Sequence, residues 1–144
     1  MMNIAKYLLL VRCTQHRPKN VSVSQNETGR NIANKLITTR LPGIPVVDSQ
    51  NKKVVGIVTE FDILSALRKG LDLDEFTAER IMSTAPATAD IDTPVNDLIE
   101  MMIKNNSTMV PITKNNKLAG IIDRCSIMEG YMAPGADRYL AKQI

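Results

Sequence analysis

The stretch GIVTEFDI, residues 56–63, reads as the end of a strand that runs directly into the start of a helix. Thr59 and Asp62 stand three residues apart at this junction. The spacing is typical of a capping box, in which a threonine caps the helix and an acid at the third helical position bonds back to the cap. It also suits a ligand site, because a first-turn carboxylate can accept bonds from vicinal ribose hydroxyls. The two interpretations are compatible, and the residues alone leave both open.

The pattern around this junction occurs twice. Residues 44–64 align with residues 110–128, which contain the related stretch GIIDRCSI. An amphipathic helix precedes each copy, and in the second copy we expect Thr93 as N-cap and Pro94 as the first helical residue. Each copy therefore reads as strand, helix, strand, polar turn, strand and helix. The first and middle strands are expected at residues 21–23, 44–47, 87–89 and 109–113.

The duplication predicts an α/β (α+β) fold of two β-α-β-β-α repeats related by pseudo-two-fold symmetry, with short mixed sheets and helices on one face. A repeat of about 60 residues buries too little surface to be stable alone, so the two should pack as one module. We expect the first repeat over residues 1–73, with an N-terminal helix at 4–11. The second repeat is expected over 74–132, followed by a tail over 133–144.

Composition narrows the function classes. The 144 residues carry a net charge of +3 from interleaved acids and bases, so we expect no nucleic-acid partner. Two distant cysteines favour a reducing, cytoplasmic setting over a zinc site or a disulfide framework. No apolar run reaches the roughly 18 residues of a membrane span, and we expect neither a signal peptide nor a membrane partner. With one histidine and no recognisable nucleophile and base, we expect no catalytic residues, no metal and no cofactor.

These residues resemble the tandem CBS (cystathionine-β-synthase) domain pair, or Bateman module. The resemblance rests on the duplicated order of elements, on RIMSTAPAT at 80–88, on GIP and MVP before the middle strands, and above all on GIVTEFDI. It implies a non-catalytic regulatory module that binds an adenine nucleotide such as AMP, ADP or ATP, or an adenosyl compound, between the repeats. The module would signal to an effector protein that the sequence does not name, and would form a homodimer through its helices. The alternative is a ligand-free dimerisation or scaffold module.

The resemblance implies a ligand site at Thr59 and Asp62 that faces residues of the second repeat. With Ile57 from the first repeat, the expected contacts are Ser83, Thr88, Thr108, Met109, Val110 and Pro111. Neutral residues precede both middle strands, which argues against a strongly held triphosphate. The candidate phosphate contacts are Arg40, Lys104 and Arg124, for each of which simple solvation is the competing explanation.

The second repeat differs at the corresponding junction. Asp123 and Ser126 stand where the first repeat has Thr59 and Asp62. Asp123 still suits an N-cap, but a serine replaces the acid that would bind ribose. We therefore expect one adenine nucleotide per chain and a degenerate second site. The residues of that second site are Arg17, Ser22, Ile44, Asp123 and Ser126.

Overall fold

We describe the protein from a computed structural model, over residues 2–6 and 21–132. The described chain forms a four-stranded sheet of order β1-β2-β3-β4 and a three-stranded sheet of order β5-β6-β7. The strands are β1 Val23–Ser24, β2 Gly43–Val47, β3 Val54–Thr59, β4 Ser83–Thr84, β5 Ala89–Asp90, β6 Met109–Lys114 and β7 Lys117–Asp123. The helices are α1 Gly29–Thr39, α2 Glu60–Arg68, α3 Ala78–Ile81, α4 Val95–Lys104 and α5 Arg124–Met132.

The two repeats share their strand pairing in detail. The first strand of each runs parallel to the middle strand, and the middle strand forms an antiparallel hairpin with the next. Pro45 pairs with Ile57 in the first hairpin, and Pro111 pairs with Ile121 in the second. Each hairpin has a register shift between the first and second residues after its proline. The mixed α/β fold of two equivalent repeats is therefore confirmed.

Each repeat has its own largely aliphatic core, and the first core also includes Phe76 and Ala78 from the start of the second repeat. The repeats also meet along a small third cluster. The first core is centred on Ile32, Ile44, Val58 and Phe76, and the second on Leu98, Val110, Ile112 and Ile122. Leu41, Met109 and Ile121 form the cluster between the repeats. An added Cβ on Gly43 would lie 2.9 Å from the Met109 sulfur. A larger residue at position 43 would therefore require Met109 to move.

The N-terminal segment packs on the second repeat, although the sequence groups it with the first. Met2 and Ile4 are buried in the second core, and Ile4 is fully inaccessible. The Ile4 amide donates to the Thr93 carbonyl at 2.9 Å. Residues 4–6 are helical, in agreement with the predicted N-terminal helix, while the rest of that helix and the tail over 133–144 lie outside the described residues.

The predicted start of α4 is wrong by one residue. Pro94, not Thr93, occupies the N-cap position, with an extended ψ of 141°, and the helix begins at Val95. The Val95 amide donates to the Met2 carbonyl at 3.0 Å, so a separate segment satisfies a first-turn donor that a capping side chain would otherwise serve. The first strands also begin two residues later than predicted, at Val23 and Ala89. None of the helices in the described ranges has the length and apolar character needed to cross a bilayer.

Candidate functional site

The junction of β3 and α2 forms the capping box that the sequence predicts. Thr59 is the N-cap, and its hydroxyl oxygen accepts from the Asp62 amide at 3.3 Å. In return, Asp62 Oδ2 accepts from the Thr59 amide at 2.8 Å and from the Thr59 hydroxyl at 3.0 Å. Both bonds from Thr59 reach the same carboxylate oxygen. The cap therefore fixes the orientation of the Asp62 side chain through Oδ2 alone.

The other carboxylate oxygen is left available. Asp62 Oδ1 accepts no hydrogen bond from any residue that the structure describes. Asp62 lines a cavity of about 310 Å³ between α2 and α3. The other lining residues are Ser65, Ala66, Lys69, Leu71, Arg80 and Ile81. Oδ1 belongs to a cavity-lining side chain and has two lone pairs, so it can accept bonds from two hydroxyls of a ligand.

The start of the second repeat lies directly beside this junction. Ser83 is the antiparallel partner of Ile57, and Thr84 is the partner of Gly56. An added Cβ on Gly56 would lie 2.5 Å from the Met82 sulfur and 2.9 Å from the Ser83 carbonyl oxygen. The absence of a side chain at Gly56 thus permits β4 to approach β3 closely. Ile57, Thr59 and Ser83 thus lie on the same strand-helix junction as Asp62 or on its neighbouring strand, but of these four residues only Asp62 lines the cavity between α2 and α3.

A second cavity lies between the repeats, on the other side of the helix N-terminus. Its volume is about 200 Å³, and Thr108 and two of the three predicted phosphate contacts, Arg40 and Arg124, line it. Glu60 and Asp123 line it as well. Two guanidinium groups therefore share this space with two carboxylates, and their formal charges cancel. The remaining lining residues are Pro42 and Cys125.

Other predicted contacts lie apart from the Asp62 cavity. Thr88 lines a separate cavity of about 240 Å³ with Lys53 and Val54, at the opposite end of β3. Met109 is buried between the repeats, and Val110 belongs to the second core. Pro111 is buried within β6, and Lys104 is an exposed residue at the end of α4. These five residues line neither the Asp62 cavity nor the cavity between the repeats.

The equivalent junction in the second repeat has the reverse arrangement. Asp123 Oδ1 accepts from the Ser126 amide at 2.7 Å and from the Ser126 hydroxyl at 2.6 Å. Asp123 thus serves the start of α5 as an N-cap, as the sequence predicts. Asp123 is 4% exposed and Ser126 is 8% exposed.

The remaining residues of the predicted second site are dispersed. Ile44 is fully buried in the first core. The Ser22 carbonyl oxygen accepts from Lys35 Nζ at 3.4 Å. Arg17 lies outside the described residues. The described part of this site therefore offers no exposed carboxylate equivalent to Asp62.

Comparison with known proteins agrees with the duplicated geometry. The family model for the CBS domain matches residues 16–69 and 78–133. The chain belongs to the CBS domain family. A 17.7 kDa protein encoded in the bps2 3′ region of Acidianus ambivalens is 37% identical over 101 residues, which are 69% of this chain and 60% of that protein. The YlbB protein of Bacillus subtilis is 30% identical over 91 residues, 61% of this chain and 60% of its own length. This CBS chain therefore aligns with about 60% of the length of these relatives.

The fold also agrees with solved structures, one of which is a CBS domain pair. The CBS domain pair of protein MJ0100, in complex with 5′-methylthioadenosine and S-adenosyl-L-methionine, has a TM-score of 0.66 and 30% identity. That match covers 77% of this chain and 91% of MJ0100's crystallised pair. AcuB from Vibrio cholerae has a TM-score of 0.76, 20% identity and coverage of 99% and 96% of the two chains, which supports the fold alone.

Sequence reasoning missed two basic residues of the Asp62 cavity. Lys69 follows Asp62 by seven residues, and that spacing places both on the same face of a helix. This helical spacing is a signal that could have identified Lys69. Arg80 begins the RIMSTAPAT segment, but only the tertiary packing of α3 against α2 brings it to the cavity. Among the described residues there is no cluster of side chains suited to a metal ion.

Proposed function

We propose that this CBS pair is a regulatory module that binds an adenosyl compound or adenine nucleotide through Asp62. The observation that carries the proposal is that the two oxygens of the Asp62 carboxylate have different surroundings. Oδ2 is held by Thr59, and Oδ1 accepts no bond from the described residues and belongs to a cavity-lining side chain. We assign Oδ1 to the two vicinal ribose hydroxyls of the ligand.

The chemistry of the neighbouring residues supports the adenosyl class. Ile57 offers an apolar surface to a base, and the exposed Ser83 on the adjacent strand offers a hydroxyl to a base edge. MJ0100, at 30% identity, carries adenosyl compounds in its CBS pair. The proposed ligand contacts are therefore Ile57, Thr59, Asp62 and Ser83.

The proposed signal is a change in the arrangement of the two repeats when the ligand binds. The start of α2 adjoins the inter-repeat cavity through Glu60, and Met109 sits against Gly43 beside that cavity. A ligand that binds one arrangement of the repeats better than another shifts the population toward it. An effector protein would sense that shift, and the module itself would catalyse no reaction.

We also propose that the chain forms a homodimer through an apolar helix surface. Large side chains are exposed at equivalent positions of both repeats, with Ile37 72% exposed and Ile103 76% exposed. Phe61 is 81% exposed on α2, and the corresponding residue of the second repeat is Cys125, at the edge of a cavity of about 600 Å³ between α4 and α5. A two-fold axis can therefore place Phe61 of each copy in the α4–α5 cavity of the other.

Light scattering tests the dimer directly. At micromolar concentration we expect twice the mass of the 15.9 kDa chain. Phe61→Asp should give a monomer, because it places a charge in the apolar contact. Glu75→Asp, on an exposed residue outside the helix surface, should remain a dimer. A wild-type monomer mass, or a dimeric Phe61→Asp variant, would count against this contact.

Thermal unfolding in the presence of ligands tests the binding proposal. A ligand that binds only the native protein raises the melting temperature, and a concentration 100 times the Kd stabilises by about 2.7 kcal/mol. We expect such a shift with at least one of AMP, ADP, ATP, 5′-methylthioadenosine and S-adenosylmethionine. The 2′-deoxy form of AMP is the matched control for AMP, since it lacks one of the hydroxyls assigned to Asp62. If no member of this panel shifts the transition, the ligand-free scaffold becomes the better account.

A further inference from the structure

Two basic side chains extend the Asp62 cavity away from the start of α2. Lys69 follows the last residue of this helix, and Arg80 comes from α3, which packs against α2. Both side chains line the cavity with Asp62. Neither forms an ion pair or a side-chain hydrogen bond with another residue in the ranges 2–6 and 21–132. The cavity therefore holds two cations that no described carboxylate neutralises through direct contact.

The charge balance distinguishes this cavity from the one between the repeats. Lys69, Arg80 and Asp62 give the Asp62 cavity a formal charge of +1. In the inter-repeat cavity two arginines and two carboxylates sum to zero. An incoming anion meets repulsion from the two carboxylates there. In the Asp62 cavity the carboxylate is that of Asp62, which binds ribose under the proposed function. Lys69 and Arg80 are therefore both available to bind an anionic group of the ligand.

The geometry of α2 allows one ligand to reach both ends of the cavity. Lys69 is seven residues beyond Asp62, a rise of about 10 Å along the helix axis. Both side chains lean toward the N-terminus of the helix, but the lysine side chain is longer than the aspartate side chain and reaches further back, which shortens the separation of the charged groups. The remaining separation is within the span of a ribose and the group attached to its 5′ carbon. Arg80 faces the same space from the opposite wall.

We propose that Lys69 and Arg80 bind an anionic group on the 5′ side of the adenosyl ligand, a phosphate or a carboxylate. This inference rests on the proposed function of Asp62 and adds the ligand's charge class to it. It places the anion beside α2 and α3 and not at Arg40 and Arg124.

Calorimetric titration of matched ligand pairs tests this assignment. AMP against adenosine tests a phosphate, and S-adenosylhomocysteine against 5′-methylthioadenosine tests a carboxylate, since both members of the second pair are neutral thioethers at sulfur. We expect the wild-type protein to bind the member that carries the phosphate or carboxylate more tightly in at least one pair. Lys69→Gln and Arg80→Gln should each weaken binding of that member about tenfold or more, while binding of the other member changes little. Arg68→Gln removes the same charge one residue away on a side chain outside the cavity, and should leave both affinities unchanged.

Two results would overturn the assignment and leave the proposed function standing. One is equal binding of both members of each pair by the wild-type protein. The other is a preference for the phosphate- or carboxylate-bearing member that survives Lys69→Gln combined with Arg80→Gln but disappears with Arg40→Gln. If no adenosyl ligand binds at all, the proposed function fails and this assignment fails with it.

Discussion

Replacing Asp62 by alanine should affect stability and ligand binding by separable amounts. The stability effect follows from the capping box, in which Asp62 Oδ2 accepts two hydrogen bonds from Thr59. Loss of an N-cap residue typically destabilises a protein by about 0.5–2 kcal/mol, and Asp62→Ala should cost an amount at the low end of that range, because Thr59 still caps the helix. For a domain of this size each kcal/mol lowers the melting temperature by roughly 2–4 °C. We therefore expect a modestly less stable protein that still folds.

The binding effect follows from Oδ1. A hydrogen bond to a charged group contributes about 1.5–3 kcal/mol, and Oδ1 is assigned two ribose hydroxyls. Loss of even one such bond weakens binding at least tenfold, since 1.4 kcal/mol corresponds to a factor of ten. Asp62→Ala should therefore weaken the tightest ligand of the adenosyl panel by at least that factor in a calorimetric titration.

Thr28→Ala is the matched control for the loss of a cap. Thr28 caps α1 and accepts from the Asn31 amide at 3.3 Å, but it does not line the Asp62 cavity. Thr28→Ala should lower the melting temperature by at least as much as Asp62→Ala and leave the affinity unchanged. An Asp62→Ala variant that melts earlier yet binds with wild-type affinity would show that Asp62 is only a cap.

Three further outcomes follow from the structure. Ile4→Ala should destabilise the protein by about 2–5 kcal/mol in chemical denaturation, because Ile4 is fully buried in the second core, and Lys6→Ala on the same short segment should change little. Calorimetry should give one adenosyl ligand per wild-type chain, and Asp123→Thr with Ser126→Asp should move the stoichiometry toward two; two equivalent wild-type sites would contradict the assigned asymmetry. The hydrogen bond from Arg30 lowers the pKa of Asp74 below its ordinary 3.8, so the pair's stabilisation is present above that pH and lost as the pH falls through the lowered pKa. Because the pair is exposed, Asp74→Asn should lower the melting temperature only slightly at neutral pH, and this difference should vanish in acid.

The local features of the fold were predictable because short-range chemistry determines them. The alignment of Pro45 with Pro111 anticipated equivalent hairpins, and the strand pairing has that register. The sequence predicts a polar turn between the last two strands of each repeat, and in the second repeat Asn115 and Asn116 occupy that turn with positive φ, 53° and 63°. Two positive φ angles are what a two-residue hairpin of type I′ requires. Such features depend on neighbouring residues alone.

The features that sequence reasoning missed depend on contacts between distant segments. The start of α4 is shifted because Met2 supplies a carbonyl to the Val95 amide from the far end of the sequence. Arg80 joins Asp62 only through the packing of α3 on α2. The spacing of Thr59 and Asp62 could not show that the cap uses one carboxylate oxygen and leaves the other available.

The structure of the protein with its tightest adenosyl ligand tests the central claim most directly. We predict that both ribose hydroxyls lie within hydrogen-bonding distance of Asp62 Oδ1, at about 2.5–3.0 Å, while Oδ2 keeps its bonds to Thr59. A ligand bound elsewhere on the chain, with Asp62 still bonded only to Thr59, would contradict the account.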